Sequence, residues 1–446
     1  MVSPTDKQIL HLAAPSIVSN ITVPLLGLVD VAIVGHMGHP AYIGAVAVGS
    51  MMFNLLYWLF SFLRMGTSGL TAQALGRRDM GDLISTLARS ATAAAVSAAA
   101  LTALQGPLLW VLFWLIAPTP DVAPLAADYF RIVIWGAPAS LGLFALTGWF
   151  VGMQNTRAPM FVSIMQNVVN IVASVALVYG AGMKIQGVAL GTVVAQYAGL
   201  AAALVLLWRR YGGLLRRHAA HATLRRRHGD RHGSHVNRDI FLRTLCLVAA
   251  NLCFTSAGAR QGAVILSVNT VLMQLYLFFS YFMDGFAYAG EALCGRSFGA
   301  CDGRGLRQTL RRLFGWMGVV TACFTLLYAL GGMPLVAVLT DEPEVVGAAA
   351  DYIGWAVVIP LAGCAAFIWD GVFVGLTATR GMLWAGVVGL IGFIGVYGTL
   401  GAAMGNHALW LAQAVFLGLR AVVQTVWWRR RLSAAVAALI FDKTPR

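Results

Sequence analysis

Twelve apolar runs, each long enough to cross a bilayer as a helix, constrain this chain more than any other feature. They read as 9–34, 41–64, 87–116, 124–151, 158–180, 186–208, 240–262, 264–290, 308–338, 346–375, 382–404 and 408–428. About 20 apolar residues span the hydrocarbon as an α-helix, whereas barrel strands read as about ten residues of alternating polarity. Composition points the same way, with 59% hydrophobic and 11% charged residues, against about a quarter charged in soluble domains. So few charges cannot cover a water-facing surface, and so apolar a chain is not disordered. The expected fold class is therefore all-α integral membrane, with twelve transmembrane helices.

The net charge of +14 follows from topology rather than from nucleic-acid binding. Of the 31 basic residues, 26 fall on one side of these runs, among them Arg77, Arg78, Arg157, the ten arginines from Arg209 to Arg243, Arg296–Arg312 and Arg429–Arg431. Such a bias marks cytoplasmic loops, which face anionic lipid. Both termini are then cytoplasmic, and the expected setting is multi-pass in a bacterial inner membrane. Met1–Lys7 leads straight into a full-length run, so no cleavable signal is expected. The six cysteines form no CxxC pair and read as small buried side chains. The histidines of the basic break (His218, His221, His228, His232, His235) stand among arginines without acidic or cysteine neighbours, which disfavours a metal site. Neither a P-loop nor HExxH occurs, so an ATP-driven pump and a zinc protease lack support.

The longest break divides the chain into an N-terminal lobe of six helices (1–208), a basic cytoplasmic linker (209–238) and a C-terminal lobe of six (239–446). The lobes look like copies. A shift of 219 pairs Leu56, Tyr57, Phe60, Ser61, Gly66, Gly76 and Arg77 with Leu275, Tyr276, Phe279, Ser280, Gly285, Gly295 and Arg296. A shift of 223 pairs Gly148, Phe150, Val151, Gly152, Thr156 and Arg157 with Gly371, Phe373, Val374, Gly375, Thr379 and Arg380, and Asp128-Tyr129 with Asp351-Tyr352. Six crossings per copy give both the same orientation, with the symmetry axis along the membrane normal. Two such bundles suit a transporter.

An ionisable group inside the hydrocarbon costs at least about 2.5–3.5 kcal/mol at a span centre, so each needs a reason. Asp30, Asp284 and Asp370 fall inside the runs and Glu291 directly follows one, whereas the other acids sit in loops or towards span ends. Asp30 has no basic residue within helical reach. Burial without a positive partner disfavours its charged form, which suits it either to carry a proton or to hydrogen-bond a neighbouring helix. Pro15 and Pro24 in the same run each remove a backbone hydrogen bond, and so bend the helix. Asp284 and Asp370 each precede a glycine; they either line a cavity that takes cations or join helices. Glu291 and Arg64 lie close enough to the inner face to snorkel or pair there. Gln166, Asn170 and Ser174 share one helical face beside Asn167, and that polar strip lines either a cavity or a helix contact.

Several stretches resemble the multidrug and toxic compound extrusion family, in particular its DinF branch. They are Gly27-Leu-Val-Asp30-Val-Ala-Ile-Val-Gly35-His36, Met65-Gly-Thr-Ser-Gly-Leu-Thr-Ala-Gln-Ala-Leu-Gly76, Asp284-Gly-Phe-Ala-Tyr-Ala-Gly-Glu291-Ala and Gly405-Asn-His-Ala-Leu-Trp410-Leu-Ala. The resemblance implies two six-helix bundles and export of organic cations or related compounds, driven by inward H+ or Na+. It implies that Asp30 is the principal protonation site and Pro15 the helix-bending proline. Asn170 matches the Asn of an N-x-x-x-D pattern whose Asp is Ser174 here, leaving Asp30 without a second carboxylate. Asp370 resembles an acidic position associated with cation binding in the NorM branch.

The combined expectation is a monomeric, proton-coupled multidrug antiporter working by alternating access. It would export cationic or amphipathic small molecules, contact membrane lipids, and need no cofactor beyond the coupling ion, H+ or Na+. The rivals are a lipid-linked precursor flippase, which would need a basic cluster in its cleft, and an intramembrane enzyme. No convergent nucleophile and base are visible for the latter. The intramembrane charge reads as chiefly acidic, with Arg64 and Arg420 the basic exceptions, and that favours cationic cargo.

Overall fold

The computed structural model describes residues 3–35, 40–225 and 230–433; the side chains of 23–26, 28, 31, 35, 40, 219–225 and 230–232 are not among those described. Pro24, His36, His221, His228, His232 and the basic residues after 433 therefore lie outside the described side chains. In chain order the helices are α1 (Pro4–Gly35), α2 (Pro40–Leu59), α3 (Phe62–Gly76), α4 (Met80–Ala103), α5 (Gln105–Ile116), α6 (Ala123–Val133), α7 (Ala137–Gly152), α8 (Arg157–Val175) and α9 (Ile185–Arg225). They continue as α10 (Asp230–Ala259), α11 (Ala263–Gly299), α12 (Gly303–Leu339), α13 (Pro343–Gly375), α14 (Thr379–Met404) and α15 (Asn406–Trp427). Every regular element among the described residues is helical, because backbone polar groups in hydrocarbon must be satisfied within their own segment.

Eleven helical stretches among the described residues are long and apolar enough to cross a membrane, α2 with α3 and α6 with α7 each counting as one. The 32 residues of α1 precede them and complete the expected order of twelve. Trp110, Trp114, Leu330 and Val338 stand exposed on the surface, where lipid rather than water would meet them. Of the cysteines, Cys294 is buried, but Cys253, Cys301 and Cys323 are exposed, against the expectation that all six pack inside.

The chain forms two compact units, Val18–Gly233 and Met1–Ile17 with Ser234–Arg446. The first seventeen residues thus group with the second half, not with residues 18–208. Two contacts within that unit account for this. Trp316 Nε1 donates to Asp6 Oδ1 at 3.2 Å, and Arg312 pairs with Asp6 at 3.3 Å. At Gly285 α11 meets α1 closely, for a Cβ there would stand 2.4 Å from Ile17 Cγ1. The Ser3 hydroxyl, donating to Asp6, holds this carboxyl below its ordinary range. Its stabilising contribution is therefore present above the unfolded value of about 3.9, and is lost as pH falls through the lowered one. Nor is 209–238 a bare linker. α9 carries on to Arg225 and α10 starts at Asp230, since arginine is a good helix former and no proline interrupts the run.

The internal repeat is visible as geometry. A Cβ at Gly148 would stand 2.2 Å from the carbonyl oxygen of Arg64, and one at Gly371 would stand 2.2 Å from that of Ala287. Gly152 lies on the Ser68 carbonyl and Gly375 on that of Glu291, each with a hypothetical Cβ at 2.7 Å. Arg78 and Cys301 share positive φ (56° and 55°), as do Gln154 and Thr377 (60° and 52°). Asp79 caps α4 through Asp82 N, and Asp302 caps α12 through Gly305 N. Every one of these pairs is 223 residues apart. The 219 offset read for residues 56–77 is thus one helical turn out of register. Sliding a helix by four residues returns nearly the same face, so identical small and aromatic residues still coincide.

Asn269 ties α11 to α15 in the second unit. It exchanges amide hydrogen bonds with Asn406 at 2.8 and 2.9 Å, and its Oδ1 also accepts from Trp410 Nε1 at 2.8 Å. Two stability changes are expected in detergent melting curves. Gly148→Val and Gly371→Val both lower the Tm, each through overpacking of about 1–3 kcal/mol, while Gly347→Ala, with open space at its Cβ, does not. Asn269→Ala strands two buried donors, at about 1–3 kcal/mol each.

Candidate functional site

The polar interior of the first unit is built from α1, α2, α6, α8 and α9. α1 delivers Asp30 five residues before its C-terminal end, 6% exposed, with Oδ1 buried and without a hydrogen-bond partner among the described residues. The phenol of Tyr129 in α6 lies within electrostatic range of Asp30, beside the hydroxyls of Thr192 and Ser50. Its ring occupies the space left by Gly49 in α2, where a Cβ would come within 2.3 Å. On α8, Asn170 donates through Nδ2 to Thr192 Oγ1 at 3.1 Å, and the Ser174 hydroxyl donates to Asn170 Oδ1 at 3.5 Å. Deeper in, Tyr57 and Gln196 each bury an oxygen without a hydrogen-bond partner among the described residues, with Ser140 close to Tyr57.

The strip expected on α8 divides. Asn170 and Ser174 join this cluster, whereas Gln166 packs against Gly199 of α9, a hypothetical Cβ there lying 3.3 Å from its amide. Asn167 instead ties α8 to α1 by donating to the Thr22 carbonyl at 2.9 Å. Ser174 meets Gly191 so closely that a Cβ on the glycine would stand 2.3 Å from Oγ. The small hydroxyl therefore lets α8 and α9 touch where the family pattern carries a carboxylate. Tyr129 and Thr192 were not singled out from the sequence for chemistry. The repeated Asp-Tyr pair at 128–129 and 351–352 was the available signal.

The second unit treats its carboxylates differently. Asp370 in α13 is gripped by Arg243 of α10 and Arg420 of α15, both donating to Oδ2, the Arg420 bond at 2.6 Å. Gln424 Nε2 donates to Oδ1 at 2.6 Å. Arg243 is 7% and Arg420 4% exposed. Arg243 is therefore not one of the solvated loop arginines it was grouped with, and it joins Arg420 as a buried cation. The carboxylate oxygens of Asp370, read either as lining a cavity for cations or as joining helices, are taken by guanidinium and amide donors from α10 and α15. Asp284 and Tyr276 of α11 lie within electrostatic range of Arg243. Glu291, read as able to snorkel or pair near the inner face, does not snorkel: it is 1% exposed, with its backbone under Gly375. Asp239 is a further buried acid; it accepts from Thr379 Oγ1 at 3.2 Å and pairs with Arg238 at 3.3 Å. A surface cavity of about 590 Å³ beside Trp110, Phe113, Arg131 and Trp135 includes none of these groups.

The family model MatE matches residues 15–176 and 240–397. The chain is 40% identical over 434 residues to the DNA damage-inducible protein F of Escherichia coli, covering 96% of this chain and 92% of that one. It is 24% identical to the probable multidrug resistance protein NorM of Xylella fastidiosa, over 95% and 91% of the two chains. Among solved structures, a MATE protein crystallised in the bent conformation superposes with a TM-score of 0.85 at 18% identity over 98% of each chain. An outward-facing multidrug resistance MATE family transporter superposes at 0.83 and 18% identity, over 98% and 97%. This chain belongs to the MatE family, as a multi-pass membrane transporter of the multidrug class and not an enzyme.

Proposed function

We propose that the protein is a proton-coupled multidrug antiporter of a bacterial inner membrane, acting as a monomer and exporting cationic or other amphipathic toxic compounds by alternating access. The observation that carries this reading is the Asp30 carboxylate, buried with one oxygen unpartnered near the C-terminal end of α1. A charge so placed is costly and a proton removes the cost. Protonation from outside would turn the carboxyl into a donor for the oxygens around Tyr129, Thr192 and Asn170. Deprotonation towards the cytoplasm would reverse that exchange. Ligands that bind the two states unequally then shift their populations.

Pro15 fits this scheme. Lacking an N–H, it leaves the carbonyl of His11 without its intrahelical donor, a place where α1 can change its bend; Pro24 would act likewise nearer Asp30. Asn170 and Ser174 would hold the neighbouring hydroxyls in line, with Gln166, Asp284, Glu291 and Asp370 remaining candidates to line the cargo path. A single carboxylate flanked by phenol and hydroxyl groups suits one proton. A hard cation such as Na+ is better served by several oxygen ligands.

Three outcomes are expected. Asp30→Asn abolishes gradient-driven dye efflux in cells while the protein still reaches the membrane; undiminished export would remove Asp30 from the mechanism. In proteoliposomes an imposed pH gradient drives substrate movement and an imposed sodium gradient at constant pH does not; the reverse result makes Na+ the coupling ion. Tyr129→Phe slows proton-driven transport by up to about tenfold, as loss of one hydrogen bond of about 0.5–1.5 kcal/mol would, and leaves the melting temperature within a few degrees.

A further inference from the structure

The Asp370 group of the second unit is unusual in how its donors are spent. Arg243 and Arg420 both point Nη2 at the same oxygen, Oδ2. A guanidinium binds an oxyanion best through two parallel N–H bonds, yet here two guanidiniums crowd onto one atom. The Nε–H of Arg243 is buried with no acceptor among the described residues, and Gln424, donating to Oδ1, leaves its own Oε1 buried without a donor. Gln413, Arg420 and Gln424 recur at spacings of seven and four and so share one face of α15. Gln413 Oε1 is likewise buried and unpartnered among the described residues. Buried polar atoms are nearly always satisfied, so the spare Nε–H of Arg243 and two guanidiniums sharing one oxygen mark a place for a guest with more acceptor oxygens than Asp370 offers, while the glutamine oxygens, as acceptors, suit donor groups elsewhere on that guest.

We propose that Arg243 and Arg420 form a subsite for the anionic group of an amphipathic guest, a sulfonate, phosphate or carboxylate, with Asp370 as the internal anion that fills it when no guest is bound. A tetrahedral oxyanion offers separate oxygens to the two guanidiniums and one to the idle Nε–H. Asp284, within electrostatic range of Arg243, keeps a negative charge nearby once Asp370 is displaced, so the arginine pair is never left without a counter-charge. The subsite deepens the transport reading, on which its role in cargo recognition rests. Cargo would then include anionic and zwitterionic amphiphiles, against the preference for cations that the sequence suggested.

The test is equilibrium binding to the purified full-length protein in nanodiscs, with no ion gradient. The probes are dansyl-taurine and its quaternary-ammonium counterpart. The wild type is expected to bind the sulfonate the more tightly. Arg243→Gln and Arg420→Gln should weaken sulfonate binding by about tenfold or more, leaving the ammonium probe unchanged, while Asp370→Asn tightens the sulfonate by removing its internal competitor. If the single variants are not monodisperse, the double variant Arg243→Gln/Asp370→Asn, which removes both members of an ion pair, replaces them and should likewise lose the sulfonate. Equal affinity for the two probes in the wild type, or sulfonate binding unmoved in folded arginine variants, overturns the proposal. Weaker sulfonate binding in phosphatidylglycerol than in phosphatidylcholine discs assigns the guest to lipid headgroups, and equal binding assigns it to soluble amphiphiles; both keep the subsite. Because no gradient is applied, loss of proton coupling with sulfonate binding intact would overturn the transport reading and spare this one.

Discussion

Backbone laid on backbone is the contact on which the rest of this architecture depends. In a bilayer the lipid tails are as apolar as leucine, so helices gain little by hiding hydrophobic surface from solvent and must associate by close fit. Gly148 and Gly152 let α7 lie on the carbonyls of Arg64 and Ser68, and Gly371 and Gly375 let α13 lie on those of Ala287 and Glu291. These contacts set where the flanking helices stand. They also bury α13 around Asp370 deeply enough that its carboxylate can be shared by three side chains from α10 and α15.

Within these frames the two units solve the same electrostatic problem in opposite ways. The first leaves Asp30 with a bare oxygen among phenol and hydroxyl groups, a state whose cost one proton cancels. The second surrounds Asp370 with permanent cations, so that its charge is already matched by two guanidiniums. The first arrangement suits uptake and release of a proton. The second suits exchange of one anion for another.

Span count, helical class, family and the burial of Asp30 are legible in the sequence because each rests on local signals: apolar length, charge bias, and an acid amid aliphatic neighbours. What escaped depends on which faces meet. Arg243 lies at the edge of a basic run and looks like one more topogenic charge, until α10 is seen to turn it onto α13. Tyr129 is an ordinary aromatic until Gly49 opens room for its ring beside Asp30. The repeat itself is legible in the sequence, but its register over residues 56–77 is not, since helical periodicity cannot distinguish a face from the same face four residues on. The carbonyl contacts, being specific to single atoms, can.

The constant spacing of 223 residues has a further consequence. Counting on from Asp30 reaches Cys253, and counting back from Asp370 reaches Thr147. The glycines that let helices touch recur in both copies, while Asp30, Asp370 and the two arginines around it do not. A gene duplication followed by unequal specialisation would leave this record: the scaffold inherited twice, and the chemistry assigned once to each descendant.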